Sequence, residues 1–310
     1  MTFTTRLKEE IVSNDISEIE SLVELSAFLK YASNIKKTKI TITLENAAIA
    51  RRIYKDLKRN FGINIKITVR NQKRFRVKQI YILEVNEKVE DILITLNILK
   101  NNKIILPEEY FLNSKEEKVA YLKGAFLACG SVNDPSGNGY HLEFTTKMKK
   151  EGTFIQNILK EFNFKSKILK RNNNYMTYIK SAEEISEIIR LLGATNAFFY
   201  FEDIRIYRDH KNMVNRLNNC EIANQEKILK TGLKQLENIK YIKDNDLLPL
   251  LDENVREAME YREKYPETSL EELAQIITQE TGRRIGKSGV NHYFIKVKKL
   301  VERHKEKVTK

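Results

Sequence analysis

Cysteine is scarce. Cys129 and Cys220 are the only two in 310 residues and stand far apart, which excludes a disulfide-dense secreted scaffold and points to a reducing compartment. On helices, such lone thiols are ordinarily buried and inert. No C-x-x-C pair occurs, and His141, His210, His292 and His304 stand at no zinc-ligand spacing with either cysteine, so no metal and no cofactor is expected. Glycine and proline number 11 and 4, too few for collagen-like or linker-dominated chains. Gly137-Asn138-Gly139 is a turn, without the third glycine or strand-to-helix setting of a dinucleotide site, and no small-molecule substrate is expected. No apolar run approaches eighteen residues, and MTFTTRLKEE has none of the apolar core of a signal peptide. The expectation is a cytoplasmic protein with no membrane partner.

What is present is a core and a charge. Hydrophobic residues make up 41% of the chain, ample for a packed interior and too many for a disordered one. Lysine and arginine number 55 against 42 acids, for a net charge of +13, which favours a polyanionic partner. An AT-rich genome over-uses Lys, Asn and Ile in the same way, so position must decide what composition does not.

The chain divides at about residues 105, 205 and 246, and its first two parts share one order of elements. In residues 1–105 an apolar helix from Ile16 to Ser33 precedes the alternating strand Lys39 to Leu44, a helix from Asn46 to Asn60, strands Ile63 to Arg70 and Phe75 to Val85, and a helix from Val89 to Leu99. In residues 106–205 the order recurs as helix Lys115 to Cys129, strand Tyr140 to Thr145, helix Lys149 to Phe162, strands Phe164 to Lys170 and Tyr175 to Lys180, and helix Ala182 to Leu192. Two αβαββα units about 100 residues apart suggest a pseudo-twofold pair. Ala197 to Ile206 reads as strand, and Asp209 to Tyr241 as a polar helix in a linker spanning 206–246. Its Asn-rich stretch from Asn215 to Asn224 fits either a capped helix or a functional contact.

Residues 247–310 read as three helices. The first, from Asn254 to Lys264, stops at Tyr265-Pro266. Ser269 and Glu272 form a capping box that opens the second, Leu270 to Thr278, and Gly282 permits a reversal. The third follows Lys287-Ser288 and repeats Val290, Phe294, Val297 and Val301 as a buried stripe. Its polar side, with the basic residues before it, supplies Arg283, Arg284, Lys287, Ser288, Asn291, His292, Lys296 and Lys299 as candidate contacts to base edges and phosphates. Charge supports this: Asp252 to Glu280 holds nine acids and three bases, whereas Arg283 to Lys310 holds ten bases and two acids. A purely structural bundle has no reason to segregate charge so sharply. The loop from Thr278 to Ser288 is longer than the usual helix-turn-helix turn.

Both repeats also carry acid-free basic hairpins: Lys66, Arg70, Lys73, Arg74, Arg76 and Lys78 in the first, Lys165, Lys167, Lys170, Arg171 and Lys180 in the second. In the first, Lys66, Thr68 and Arg70 share one strand face and Ile65, Ile67 and Val69 the other, so one face is expected wet and positive and the other core. Two such ribbons could lie along a duplex, adding a salt-sensitive backbone term.

The stretch LKGAFLACGS from Leu122 to Ser131 resembles the LAGLIDADG helix motif of homing endonucleases, with a weaker counterpart from Leu25 to Ser33. Small residues Ala27, Gly124 and Ala128 would let the two motif helices pack closely. GAFLACGSVNDP with YHLEF, NRLNNCEIAN, and SLEELAQ with KSGVNH together resemble the WhiA family of bacterial sporulation and cell-division regulators over essentially the whole chain. The resemblance implies an α+β fold, with a degenerate, pseudo-twofold homing-endonuclease domain followed by an all-α helix-turn-helix domain, and a role in transcription, cell division or chromosome segregation. In active nucleases of this type an acid near the motif's end holds the catalytic metal; here the aligned residues are Ala32 and Cys129, neither a hard oxygen ligand.

The expectation is therefore a sequence-specific, nucleoid-associated regulator that binds double-stranded DNA without cutting it, with transcription or cell-division proteins as further partners. Two alternatives stay open: an endonuclease using another acid such as Asp134 or Glu143, and a scaffold whose first part binds proteins while only the C-terminal part touches DNA.

Overall fold

The computed structural model describes residues 1–71 and 79–308. Two compact units divide at Arg208 and Asp209.

The first unit opens with α1 (Phe3–Ser13), α2 (Glu18–Ala32), β1 (Ser33–Lys36), β2 (Lys39–Leu44), α3 (Ala47–Phe61), β3 (Ile65–Asn71), β4 (Gln79–Val85) and α4 (Val89–Thr95), followed by a small ladder of β5 (Leu99–Lys100) with β6 (Lys103–Ile104). The second repeat comprises α5 (Lys115–Cys129), β7 (Gly130–Val132), β8 (Leu142–Thr146), α6 (Lys149–Glu161), β9 (Lys167–Arg171), β10 (Asn174–Ile179) and α7 (Ala182–Leu191). Among the described residues two four-stranded antiparallel sheets form, in the matching orders β1-β2-β4-β3 and β7-β8-β10-β9. The repeat is thus αββαββα rather than αβαββα. The extra strands β1 and β7 follow directly on the ends of α2 and α5, and at four and three residues they are too short for alternation to register.

The motif helices form the centre. Ser17 and Ser114 open α2 and α5 with capping boxes. The helices meet at Gly124, where a Cβ would lie 2.1 Å from the Glu24 carbonyl oxygen and 2.9 Å from the Ala27 Cβ. Only glycine admits that approach. The core around them takes Leu25, Phe28 and Leu29 from α2, Tyr121, Ala125 and Phe126 from α5, and the inner faces of both sheets.

Helix α1 binds the two repeats together. Thr4 Oγ1 donates to Val132 O (2.7 Å) and accepts from Val132 N (2.9 Å), while Asn14 donates to Gly193 O (2.9 Å). Glu10 accepts from Asn196 N (2.6 Å) and Ala197 N (3.0 Å), so a carboxylate caps the start of α8 (Thr195–Asp244). Residues 197–206 are therefore helical, correcting the strand expected there. The run of aromatics from Phe198 to Phe201 reads as β by propensity, but Ala197 and Phe201 bury at i, i+4 spacing under an external cap.

In the second unit the later part of α8 buries Ile239 and Ile242 against α9 (Glu253–Lys264), α10 (Leu270–Thr281) and α11 (Lys287–Val308). The capping box of Ser269 and Glu272 is formed, and Gly282 closes α10 with φ of +72°. Helix α10 runs three residues further than its sequence signal, which shortens the turn to residues 282–286. Val290, Phe294, Val297 and Val301 are all buried. No helix among the described residues is long and apolar enough to cross a membrane.

Candidate nucleic-acid interface

The buried stripe of α11 fixes which of its side chains face solvent. With Val290, Phe294, Val297 and Val301 turned inward, Lys287, Ser288, Asn291, His292 and Lys299 stand exposed along the helix, and Arg284 is exposed in the preceding turn. Three of the eight expected residues face acids of neighbouring helices, Lys287 meeting Glu271 of α10 at 3.8 Å while staying exposed; the other two are more closely held. Arg283 directs its guanidinium to Glu257 of α9 (2.6 Å) and to Asn254. Lys296 pairs with Asp252 at the start of α9 (2.8 Å), which holds the Asp252 carboxyl below its usual range. Sequence reasoning passed over Ile295, 40% exposed. It lies seven residues beyond Ser288 and four beyond Asn291, so the signal was an apolar residue off the buried period. A thymine methyl is the kind of surface such a side chain meets in a major groove.

The sheets place their cations less uniformly. In the first, the register of β3 with β4 puts Lys66, Thr68 and Arg70 on the outer face with Glu84, and Lys39, Thr41 and Thr43 of β2 continue it. Glu84 accepts from Lys39 (2.5 Å) and faces Lys66 at 3.9 Å. The opposite face of β3 is only partly core: Ile67 and Val69 are about half exposed because β3 is the edge strand. In the second sheet Lys167 and Arg171 share the outer face with Tyr178 and Glu143, whereas Lys170 falls on the other face, over the Tyr175 ring. Lys180 lies over Tyr178, and Lys165 is exposed before β9. Lys73, Arg74, Arg76 and Lys78 lie outside the described residues.

At the ends of the motif helices, Ala32 and Cys129 are the last residues of α2 and α5. The Cys129 thiol donates to Ala125 O (3.2 Å), and burial pushes its pKa up to about 12. Lys8 of α1 enters beside it, donating to Leu127 O at 3.0 Å, and burial draws its pKa down to about 8. The buried carboxylate Glu151 faces Lys30 at 3.8 Å and accepts from Met148 N. A methyl group, a protonated thiol and an ammonium do not fit a divalent metal, which wants hard oxygen ligands. Asp134 accepts from Ser136 N and Oγ, and the Ser136 hydroxyl is the main reason its carboxyl sits below the usual range. Glu143 is bound to His141 (2.9 Å) and Ser131 (3.3 Å). Among the described residues no three His, Cys, Asp or Glu side chains are grouped to hold a metal.

Comparison with known proteins matches these parts in order. The WhiA N-terminal LAGLIDADG-like domain matches residues 18–99, the WhiA LAGLIDADG-like domain residues 118–211, and the WhiA C-terminal HTH domain residues 214–301. A probable cell division protein WhiA of Bacillus cereus is 38% identical over 309 residues, covering 98% of this chain and 97% of its own length. The counterpart in Bacillus mycoides shows the same identity and coverage. A crystal structure of full-length WhiA from Thermatoga maritima aligns with a TM-score of 0.58 at 25% identity, over 98% of this chain and 99% of that one.

Proposed function

The chain belongs to the WhiA family, and we propose that it is a sequence-specific regulator that binds duplex DNA through α11, acts in cell division and chromosome segregation, and does not cut its DNA. The observation that carries the reading is the exposed face of α11. Lys287, Ser288, Asn291, His292 and Lys299 are held outward by a buried stripe on the same helix, with Ile295 among them. Asparagine and lysine there suit adenine and guanine edges, and the surrounding bases suit phosphates. Binding without cleavage is supported by the donor set at Ala32, Cys129 and Lys8, none of which offers a metal an anionic oxygen. Such a protein would reside in the cytoplasm on the nucleoid.

The test replaces Lys287, Asn291 and His292 with alanine and measures affinity for a selected duplex and for unrelated DNA. Each lost base contact is expected to cost about 1–3 kcal/mol of discrimination. Unchanged discrimination would sink the reading. Incubation of duplex DNA with the protein and magnesium is expected to leave it intact, and chelator-sensitive cleavage would overturn the second half.

A second reading draws on the outer sheet faces, where Glu84 and Glu143 interrupt the cations. That mixed surface suits a protein partner as well as it suits a phosphate backbone. Charge reversal at Lys66 and Lys167 separates the two, because a DNA-contacting face would lose affinity and salt slope together.

A further inference from the structure

Strand β3 is an edge of the first sheet, and among the described residues no strand pairs with its outer side. Every second residue of such a strand turns its backbone N–H and C=O away from the sheet. Folded proteins guard edges of this kind with charged side chains on the inward face or with a covering element.

The two repeats differ in this guard. Register makes their edges equivalent, because Ile67 follows Leu83 and Ile42 across the first sheet as Ile168 follows Thr177 and Phe144 across the second. Two residues on, Val69 corresponds to Lys170. In the second repeat α6 comes over the edge, so that a Cβ built on Gly152 would stand 3.9 Å from the Ile168 Cδ1. Lys170, over the Tyr175 ring, puts a charge on the same face. In the first repeat Ile67 and Val69 are 48% and 49% exposed, with the half-buried Tyr81 opposite Val69. An edge with bare aliphatic residues on its inward face is a template for another strand.

The other face of β3 narrows what that strand can be. Lys39, Lys66 and Arg70 share Glu84 there, which leaves a positive surplus. A second copy of β3 is a poor fit: antiparallel pairing centred on Thr68 would set Lys66 against Arg70 of the other chain, like charge opposite like. A duplex would meet the cations and leave Ile67 and Val69 in water.

We propose that the edge of β3 takes up an extended segment of a partner protein as an added strand. Apolar residues of the segment cover Ile67 and Val69, and acidic residues at the alternate positions meet Lys66 and Arg70. Main-chain hydrogen bonds hold the segment, and the alternation selects it. The inference does not rest on DNA binding by α11, and either can fail without the other.

The experiment uses the isotope-labelled full-length chain and a synthetic peptide, matched to β3 in length, that alternates valine with glutamate. Amide hydrogen exchange in β3 is expected to slow at alternate residues as the peptide saturates, while exchange in β9 stays unchanged. Val69→Lys copies the guard of the second edge at an exposed position, and is expected to weaken the peptide about tenfold with Tm unchanged. A peptide with lysine in place of glutamate is expected to bind more weakly by a similar factor. No slowing at roughly millimolar peptide overturns the proposal. Slowing that survives Val69→Lys, or that extends equally to β9, also overturns it. So do two further results: duplex DNA slowing the same amides more than the peptide, which assigns the edge to nucleic acid, and slowing that grows with the concentration of the chain alone, which assigns it to a second copy. Loss of α11 base discrimination with the β3 response retained would break the proposed function and leave this inference standing.

Discussion

The two units of the chain treat their positive charges in opposite ways. In the first, several are drawn inward: Lys30 faces Glu151 with both side chains under a tenth exposed, Arg52 bonds Asp56 at 2.6 Å and faces Glu24 at 3.7 Å, and Lys8 is held on the Leu127 carbonyl. In the second, Arg262 of α9 is buried, but the cations of α11 stand exposed while an aliphatic and aromatic stripe does the packing. Buried charge in the first unit is bound up with holding helices together, whereas the cations of α11 lie on its solvent face, some of them, such as Lys296 and Lys298, paired with exposed acids. A fold kept as a scaffold and a face kept for recognition leave different charge patterns.

The largest effect expected from breaking this contrast is at Phe294. Truncation to alanine removes the central residue of the α11 stripe and the ring over Arg262, and should cost about 3–5 kcal/mol. Chemical denaturation followed in the second unit measures it, and duplex binding should fall with folding. A change under about 1 kcal/mol would mean that the stripe does not carry the unit.

Next in size is Gly124→Val in the first unit. With the Glu24 carbonyl 2.1 Å from the added Cβ, α2 and α5 must separate, at a cost of about 1–3 kcal/mol or more. Near-wild-type stability would show that the motif helices do not rely on this contact.

The smaller Glu24 effect depends on pH. Burial raises its pKa from an ordinary 4.5 to about 7, and Arg52 offsets only part of this. A carboxyl whose folded pKa is raised contributes stability that is complete below the unfolded value and lost as pH rises through the folded one. The wild type should therefore lose stability between about pH 4.5 and about pH 7, and Glu24→Gln should flatten that slope. Urea midpoints at either end of the window decide it; an identical slope in both proteins would place the carboxylate in water.

The sequence was most legible where a period was long. The stripe from Val290 to Val301 and the cap at Ser269 placed the second unit almost residue by residue. It was least legible where a tertiary partner decided the outcome. Glu10 capping residues 186 positions away turned an aromatic run into helix, and β1 and β7 arise from pairing rather than from their own pattern. The candidate interface divides along the same line. Exposure on α11 follows from its period, but the ion pairs of Arg283 and Lys296 with α9 depend on how helices cross, which charge counting does not see.

The smallest expected effect sharpens the comparison most, because it asks whether the first unit's remaining exposed cations share the second unit's role. Lys66 and Lys167 occupy corresponding outer-face positions on β3 and β9, and Lys66 already has Glu84 at 3.9 Å. If both meet phosphates, replacing the pair with alanine should lower duplex affinity only a few-fold at moderate salt and reduce the slope of log affinity against log salt by about two. The loss should be uniform across sequences, unlike that of the α11 substitutions, because phosphate contacts carry no base information. Stability should barely change, since an exposed ion pair contributes about 0–1 kcal/mol. An unaltered salt slope would confine DNA contact to the second unit and leave the mixed faces around Glu84 and Glu143 as surfaces for protein.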